Sequence, residues 1–190
     1  MKFLKDNSYD IVKLYINQIG ITIFSLVLYT AVGFVADDAL MLKLKVILSV
    51  FAILFYVALI YTAAWDFGAK DKIKIDSGKL ESFEPKGAVM AFFANLPNIL
   101  LALGCVIIAI CAASPETSAA FTILNFIMRF AMAMFIGLIQ GIFSSAGESK
   151  WLLESIAYLV APLVSILTTQ IGYSLGKRNM RIAALFSAKR

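Results

Sequence analysis

Long apolar runs, separated by short polar segments, dominate the pattern of hydrophobic and polar residues along the chain. Five of these runs reach the length of about 20 residues that a helix needs to cross the hydrocarbon core of a bilayer. We expect an all-α fold, a polytopic transmembrane helix bundle that forms one integral membrane domain over residues 1–190. The expected spans are approximately 14–36, 46–65, 87–113, 119–143 and 152–176.

The overall composition supports a membrane protein. Of the 190 residues, 61% are hydrophobic and 15% are charged, and the mean hydropathy is +0.87, whereas a soluble domain would need more polar surface. The net charge of +5 lies in tails and loops, so we expect the lipid bilayer, and no nucleic acid, as a partner. The expected location is the cell membrane, the inner or cytoplasmic membrane of a bacterium, with the amino terminus in the cytoplasm.

The chain lacks the side chains that most enzymes use. It contains no histidine, which removes Ser/His and Cys/His nucleophilic sites and His-ligated zinc or haem. Apart from Glu154, its acidic residues lie outside the apolar runs or at their edges, so no carboxylate pair is available there for acid–base chemistry. Cys105 and Cys111 lie in one apolar run and are expected to pack. We expect no enzyme, no catalytic or metal site and no cofactor.

One apolar stretch, residues 118–144, carries a polar stripe along one helical face. The members of the stripe recur every three or four residues, and the other faces hold large apolar side chains. Arg129 lies within this stripe, where hydrocarbon would not accommodate an unpaired guanidinium. The stripe is therefore expected to face other helices, a watery cavity or a ligand. It comprises Ser118, Thr122, Asn125, Arg129, Ala133, Gly137, Gln140 and Ser144.

The third apolar run adds amide side chains at a similar depth. Asn95 and Asn98 flank Pro97, which removes a backbone hydrogen bond and frees a carbonyl group. The short polar sequence 114–118 predicts a tight connector, so the third and fourth runs are expected to pack as an antiparallel hairpin. At about 1.5 Å per residue, Asn98 and Arg129 would then differ in level by only about 7 Å.

These amides and the arginine predict a ligand-binding cluster near mid-membrane. Arg129 would bind an anionic or carbonyl-bearing group, and the asparagines would orient it. Glu154 is the one acidic residue within a run, but it lies close to a loop, so it is not expected to pair with Arg129 if both helices are straight. The predicted ligand-binding residues are Arg129, Asn125, Asn95 and Asn98, with Gln18 and Gln140 as secondary contacts.

The longest polar stretch, residues 66–86, separates the second and third runs. Ile73 and Ile75 alternate with charged residues, and the sequence Asp76-Ser77-Gly78 is typical of a turn, so a short β-hairpin is expected. This loop and the basic carboxyl-terminal tail are the expected docking surfaces for a cytoplasmic or membrane protein partner.

The distribution of charge and the hydropathy favour different membrane topologies for the fourth apolar run. Five crossings with the amino terminus inside would place nine Lys and Arg inside and seven outside, with Arg129 left out of the count. If residues 118–144 were instead re-entrant or interfacial, the count would become 13 inside and three outside, which the positive-inside rule favours. The length and hydrophobicity of the segment favour a full crossing, so both arrangements stay open.

Two classes of function fit this pattern. The first is a solute carrier, or the substrate-binding membrane subunit of a transporter, for a small polar or anionic solute, as polar stripes and an intramembrane arginine indicate. The second is a non-transporting scaffold, regulatory or immunity-type subunit, in which the same stripes are packing seams between helices.

Overall fold

Helices make up the regular structure of the chain. The computed structural model describes residues 2–111, 118–147 and 150–180, and these residues contain no strand, which confirms the all-helical expectation. The end of the predicted third span and the basic tail from residue 181 onwards lie outside the described residues. The helices are α1 (Lys2–Asp6), α2 (Ser8–Val32), α3 (Asp38–Asp76), α4 (Lys86–Cys111), α5 (Ala119–Ala131), α6 (Ile136–Ile142), α7 (Lys150–Val160) and α8 (Pro162–Lys177), with a 3₁₀ turn at Ala133–Phe135.

Four helical stretches in the described part of the chain are long and apolar enough to cross a membrane. They are α2, α3, α4 and the pair α7–α8, which together cover Lys150–Lys177. The fourth apolar run differs, because α5 and the segment Ala133–Ile142 are bent by 89° at a short break. The proline within α4, Pro97, does not interrupt that helix.

The β-hairpin predicted for residues 66–86 is wrong, because α3 continues to Asp76. Burial along this part of the chain follows a helical period: Phe67 and Asp71, one turn apart, are only 2% and 4% exposed. Gly78 adopts a positive φ of 69°, the conformation that commonly follows the end of a helix. The turn residues therefore end a long helix and do not connect two strands.

The described chain divides into two compact units. Unit 1 comprises Met1–Asn17, Val57–Ala94 and Leu163–Arg190, and unit 2 comprises Gln18–Tyr56 and Asn95–Pro162. The chain passes from one unit to the other four times, each time within one of the four long helical stretches.

In unit 1, glycine residues allow α8 to pack closely against α3. A Cβ atom at Gly176 would lie 2.1 Å from the carbonyl oxygen of Trp65, and one at Gly68 would lie 2.1 Å from that of Tyr173. Neither position could accept a side chain unless the two helices moved apart.

The connection between α3 and α4 is also tied to α8. The Nζ atom of Lys177 donates hydrogen bonds to Ser82 Oγ at 2.6 Å and to Glu84 Oε1 at 2.5 Å. The hydrogen bond and positive charge of Lys177 hold the pKa of Glu84 below its usual value.

Candidate functional site at an Arg129–Glu154 ion pair

Arg129 lies near the carboxyl end of α5, a short amphipathic helix in unit 2. Ser118 caps the start of this helix, since its Oγ accepts a hydrogen bond from the backbone N–H of Phe121 at 3.4 Å. One turn before Arg129, the Oδ1 atom of Asn125 accepts a hydrogen bond from Arg129 Nε at 3.0 Å. Two members of the predicted stripe are therefore joined directly.

The guanidinium of Arg129 is paired with the carboxylate of Glu154 on α7. The Nη2 atom of Arg129 donates to Glu154 Oε2, and the two side chains are 24% and 3% exposed. The guanidinium also lies 5.6 Å from the centre of the Trp151 ring, a cation–π distance. The arginine is thus neutralised within its own unit.

The prediction that Glu154 would not pair with Arg129 is wrong. It assumed two straight helices, which would have placed the two residues about 20 Å apart along the helix axis. Instead, α5 ends at Ala131 and is followed by a bend of 89°. Glu154, which is 25 residues after Arg129 in the sequence and lies on α7, is therefore able to pair with the guanidinium.

Polar side chains of α2 and α3 stabilise this break. Thr22 donates to the carbonyl oxygen of Ala131 at 2.9 Å, which satisfies one of the last carbonyl groups of α5. Where α6 begins, Tyr29 Oη accepts from the N–H of Gly137 at 3.2 Å, and Ser49 Oγ accepts from that of Leu138 at 3.0 Å. The hydroxyl groups of Tyr29 and Ser49 are themselves hydrogen-bonded. Helix ends buried among apolar groups require such partners.

The ion pair leaves hydrogen-bonding capacity unused. Arg129 Nη1 makes no hydrogen bond with the described residues, and Glu154 Oε1 is buried without a partner among them. Tyr158, one turn after Glu154 on α7, is fully buried, and its hydroxyl likewise lacks a described partner. Unpaired buried polar groups are uncommon in folded proteins, and a bound ligand or ordered water is one explanation for them.

The other predicted residues all belong to unit 2 but make no hydrogen bond to Arg129 in the described structure. Asn98 is buried, and its Nδ2 atom has no partner among the described residues. Asn95 and Gln18 are buried, whereas Gln140 is half-buried. Of the six predicted residues, the structure joins only Arg129 and Asn125 directly.

Sequence reasoning missed three residues of this site. Glu154 was discounted on geometry, and Trp151 and Tyr158 were not selected as site residues. The sequence does indicate that two of them lie together, because Glu154 and Tyr158 are one helical turn apart and so share a face of α7. Among the described residues, no group of three or more Cys, Asp or Glu could hold a metal ion.

Comparison with known proteins adds no family to this picture. No family model, no curated protein and no solved structure matches the chain.

Proposed function

We propose that the chain is an integral membrane protein with four crossings. The crossing helices would be α2, α3, α4 and α7–α8, and both chain termini would lie in the cytoplasm. The segment Ala119–Ile142 would be re-entrant or interfacial. The proposed location is the inner or cytoplasmic membrane of a bacterium.

The length of the bent segment supports four crossings over five. The 13 residues of α5 extend only about 20 Å, whereas the hydrocarbon core is about 30 Å thick. The seven residues of α6 run at a steep angle to α5 and add little length along its axis.

Charge supports the same arrangement. Among the described residues, the segments of unit 1 contain ten Lys and Arg, and those of unit 2 contain four, one of which is Arg129. Short polar segments rich in Lys and Arg tend to stay in the cytoplasm, so the segments of unit 1 are proposed to carry the cytoplasmic loops and termini.

We further propose that the protein binds a small polar solute at the Arg129–Glu154 pair. It would act as a carrier or as the substrate-binding membrane subunit of a transporter. The observation that carries this proposal is the half-satisfied ion pair, in which Arg129 Nη1 and Glu154 Oε1 lack partners among the described residues. Ionisable groups at membrane depth commonly mark solute or ion pathways.

The ion pair narrows the class of solute. Glu154 neutralises Arg129, so the site offers N–H donors on Arg129 Nη1 and an acceptor on Glu154 Oε1 without a net positive charge. We therefore favour a neutral or zwitterionic solute that both donates and accepts hydrogen bonds. A simple anion would have to displace Glu154 from the guanidinium.

Thermal stabilisation of the purified protein in an uncharged detergent tests the proposal. A panel of amino acids, polyols, sugars and small carboxylates would be screened, and we expect a member with both donors and acceptors to raise the melting temperature. Arg129→Gln and Glu154→Gln should abolish this increase, whereas Lys43→Gln, at an exposed cation of the same unit, should preserve it. Binding that persists in both site variants would contradict the proposal.

A scaffold, regulatory or immunity-type role is the second candidate. It is favoured by the contacts that Arg129 makes with Asn125, Glu154 and Trp151. An arginine with a purely structural role would be paired in the same way. In that case residues 66–86 and the basic tail would dock a partner protein. Co-purification of a stoichiometric partner, with no response to any solute, would support this role.

A further inference from the structure

Unit 1 contains a cavity of about 410 Å³ that the proposed solute site does not use. Small-molecule sites commonly have volumes of about 300–1,000 Å³. The start of the chain, the end of α3 and the connection to α4 form the walls. Four carboxylates and three lysines line the cavity, so its charge is negative overall.

One wall contains a buried ion pair between Lys86 and Asp71. Lys86 Nζ lies 2.6 Å from Asp71 Oδ2, and the two side chains are 10% and 6% exposed. The hydroxyl of Tyr173 donates to the same carboxylate oxygen at 2.9 Å. Lys86 and Tyr173 both donate hydrogen bonds to Asp71, so the three side chains connect α3, α4 and α8 and stabilise this wall. A ligand would therefore be bound by other groups.

Acceptors without partners lie on the amino-terminal wall. Asp6 and Asp10 line the cavity and form no ion pair with the described residues. Asn7 is 8% exposed, and its Nδ2 atom donates to the carbonyl oxygen of Phe3 at 2.8 Å. The Oδ1 atom of Asn7 has no hydrogen-bond partner among the described residues, and the residue lines the cavity.

An aromatic pair completes this wall. The rings of Phe3 and Phe83 both line the cavity and meet edge to face, with centroids 6.0 Å apart. Aromatic faces attract organic cations, and carboxylate and amide oxygens accept hydrogen bonds from them. The wall thus presents acceptors, negative charge and an apolar aromatic surface together.

We propose that this cavity binds a small organic ammonium group. Asp10, Asp6 and Asn7 accept its N–H groups, and the Phe3–Phe83 pair packs against its carbon atoms. The group belongs either to a free amine or to the ammonium of a zwitterionic lipid headgroup. Its binding is independent of the Arg129–Glu154 pair.

Titration of the purified full chain with butylammonium tests this inference. Ligand-observed NMR in an uncharged detergent would compare butylammonium with 1-butanol and butanoate, which match its size but lack its positive charge. We expect butylammonium to bind at least tenfold more tightly than either. Asp10→Asn should weaken its binding about tenfold, since a charge-assisted hydrogen bond is lost. Asp66→Asn, at an exposed carboxylate of α3 outside the cavity, should change it by less than about twofold.

The source of the ammonium is distinguished by repeating the titration in nanodiscs. Weaker apparent binding in phosphatidylethanolamine than in phosphatidylcholine, which is equally uncharged overall but has no N–H group, indicates that the lipid headgroup competes for the site, and equal binding indicates a free amine. The inference is overturned if butylammonium does not bind, if 1-butanol or butanoate binds as tightly, or if folded Asp10→Asn protein retains full affinity. A melting curve for each variant establishes that it is folded.

Discussion

At the scale of single residues, the sequence predicts that Arg129 requires polar neighbours, but it does not predict that Glu154 is its ion-pair partner. The rule that a guanidinium cannot lie unpaired in hydrocarbon requires some neighbour, and Asn125, one turn away on the same helix, accepts a hydrogen bond from Arg129. Glu154 lies 25 residues further along the chain, and its position depends on a bend that the local pattern does not encode.

The ion pair predicts non-additive effects of mutation. Arg129→Gln should destabilise the protein by about 3 kcal/mol, because it leaves the buried Glu154 carboxylate without a counter-ion. Glu154→Gln should cost less, since Arg129 is partly exposed. The double variant should be destabilised by clearly less than the sum of the single variants. Denaturation in detergent micelles measures the three values, and strict additivity would contradict the pairing.

A second residue-scale prediction concerns pH. Lys177 lowers the pKa of Glu84 in the folded protein, so the contact stabilises the fold above the ordinary glutamate pKa and is lost as the pH falls through the lowered value. Glu84→Gln should therefore reduce the melting temperature at pH 7 and have a smaller effect near pH 3. Glu81→Gln, at an exposed carboxylate of the same loop without an ion pair in the described structure, serves as the control. An equal effect of Glu84→Gln at both pH values would refute the assignment.

At the scale of elements, local pattern predicted helices well and their ends poorly. The apolar runs correspond to α2, α3, α4 and α7–α8, because length and hydropathy are properties of the local sequence. The extension of α3 to Asp76 was missed because Asp71 occupies a buried position of the helical period, where an apolar residue would be expected. Its partners Lys86 and Tyr173 are distant in sequence, so the local pattern could not explain its burial.

The break between α5 and α6 was unpredictable for a related reason. The hydroxyl groups that satisfy its free backbone groups belong to Thr22, Tyr29 and Ser49 on other helices. Within residues 118–144 alone, no proline marks the bend, and a continuous helix would satisfy the same backbone groups.

Close packing of α6 against α3 predicts a sharp contrast between two glycines of unit 2. A Cβ atom at Gly137 would lie 2.0 Å from the carbonyl oxygen of Lys45, whereas one at Gly20 would have no neighbour within 4 Å. Gly137→Ala should destabilise the protein by about 2 kcal/mol or more, because the added methyl group would force the backbone of α6 away from that of α3. Gly20→Ala should be neutral or stabilising by up to about 1 kcal/mol, as expected in a helix. Thermal melting of both variants measures this, and equal effects would contradict the described packing.

At the scale of the whole molecule, the bend is compatible with the proposed four-crossing arrangement, which the charge distribution also favours. A bent segment that begins and ends within unit 2 accounts for an apolar run that need not cross the bilayer. In the proposed arrangement, the four remaining stretches would alternate direction, and the cationic segments would lie on the cytoplasmic side. Hydropathy alone could not distinguish these arrangements, because a re-entrant segment and a full span can have the same composition.

The most direct measurement is the accessibility of single cysteines to a membrane-impermeant maleimide in intact cells and in inside-out vesicles. Ser77→Cys, Ser145→Cys and Ser187→Cys would each be placed in a chain that carries Cys105→Ala and Cys111→Ala. Four crossings predict that position 145 is labelled only from outside, and positions 77 and 187 only from the cytoplasmic side. Labelling of positions 77 and 145 from the same side, with position 187 on the other, would contradict the account and establish that residues 118–144 cross the membrane.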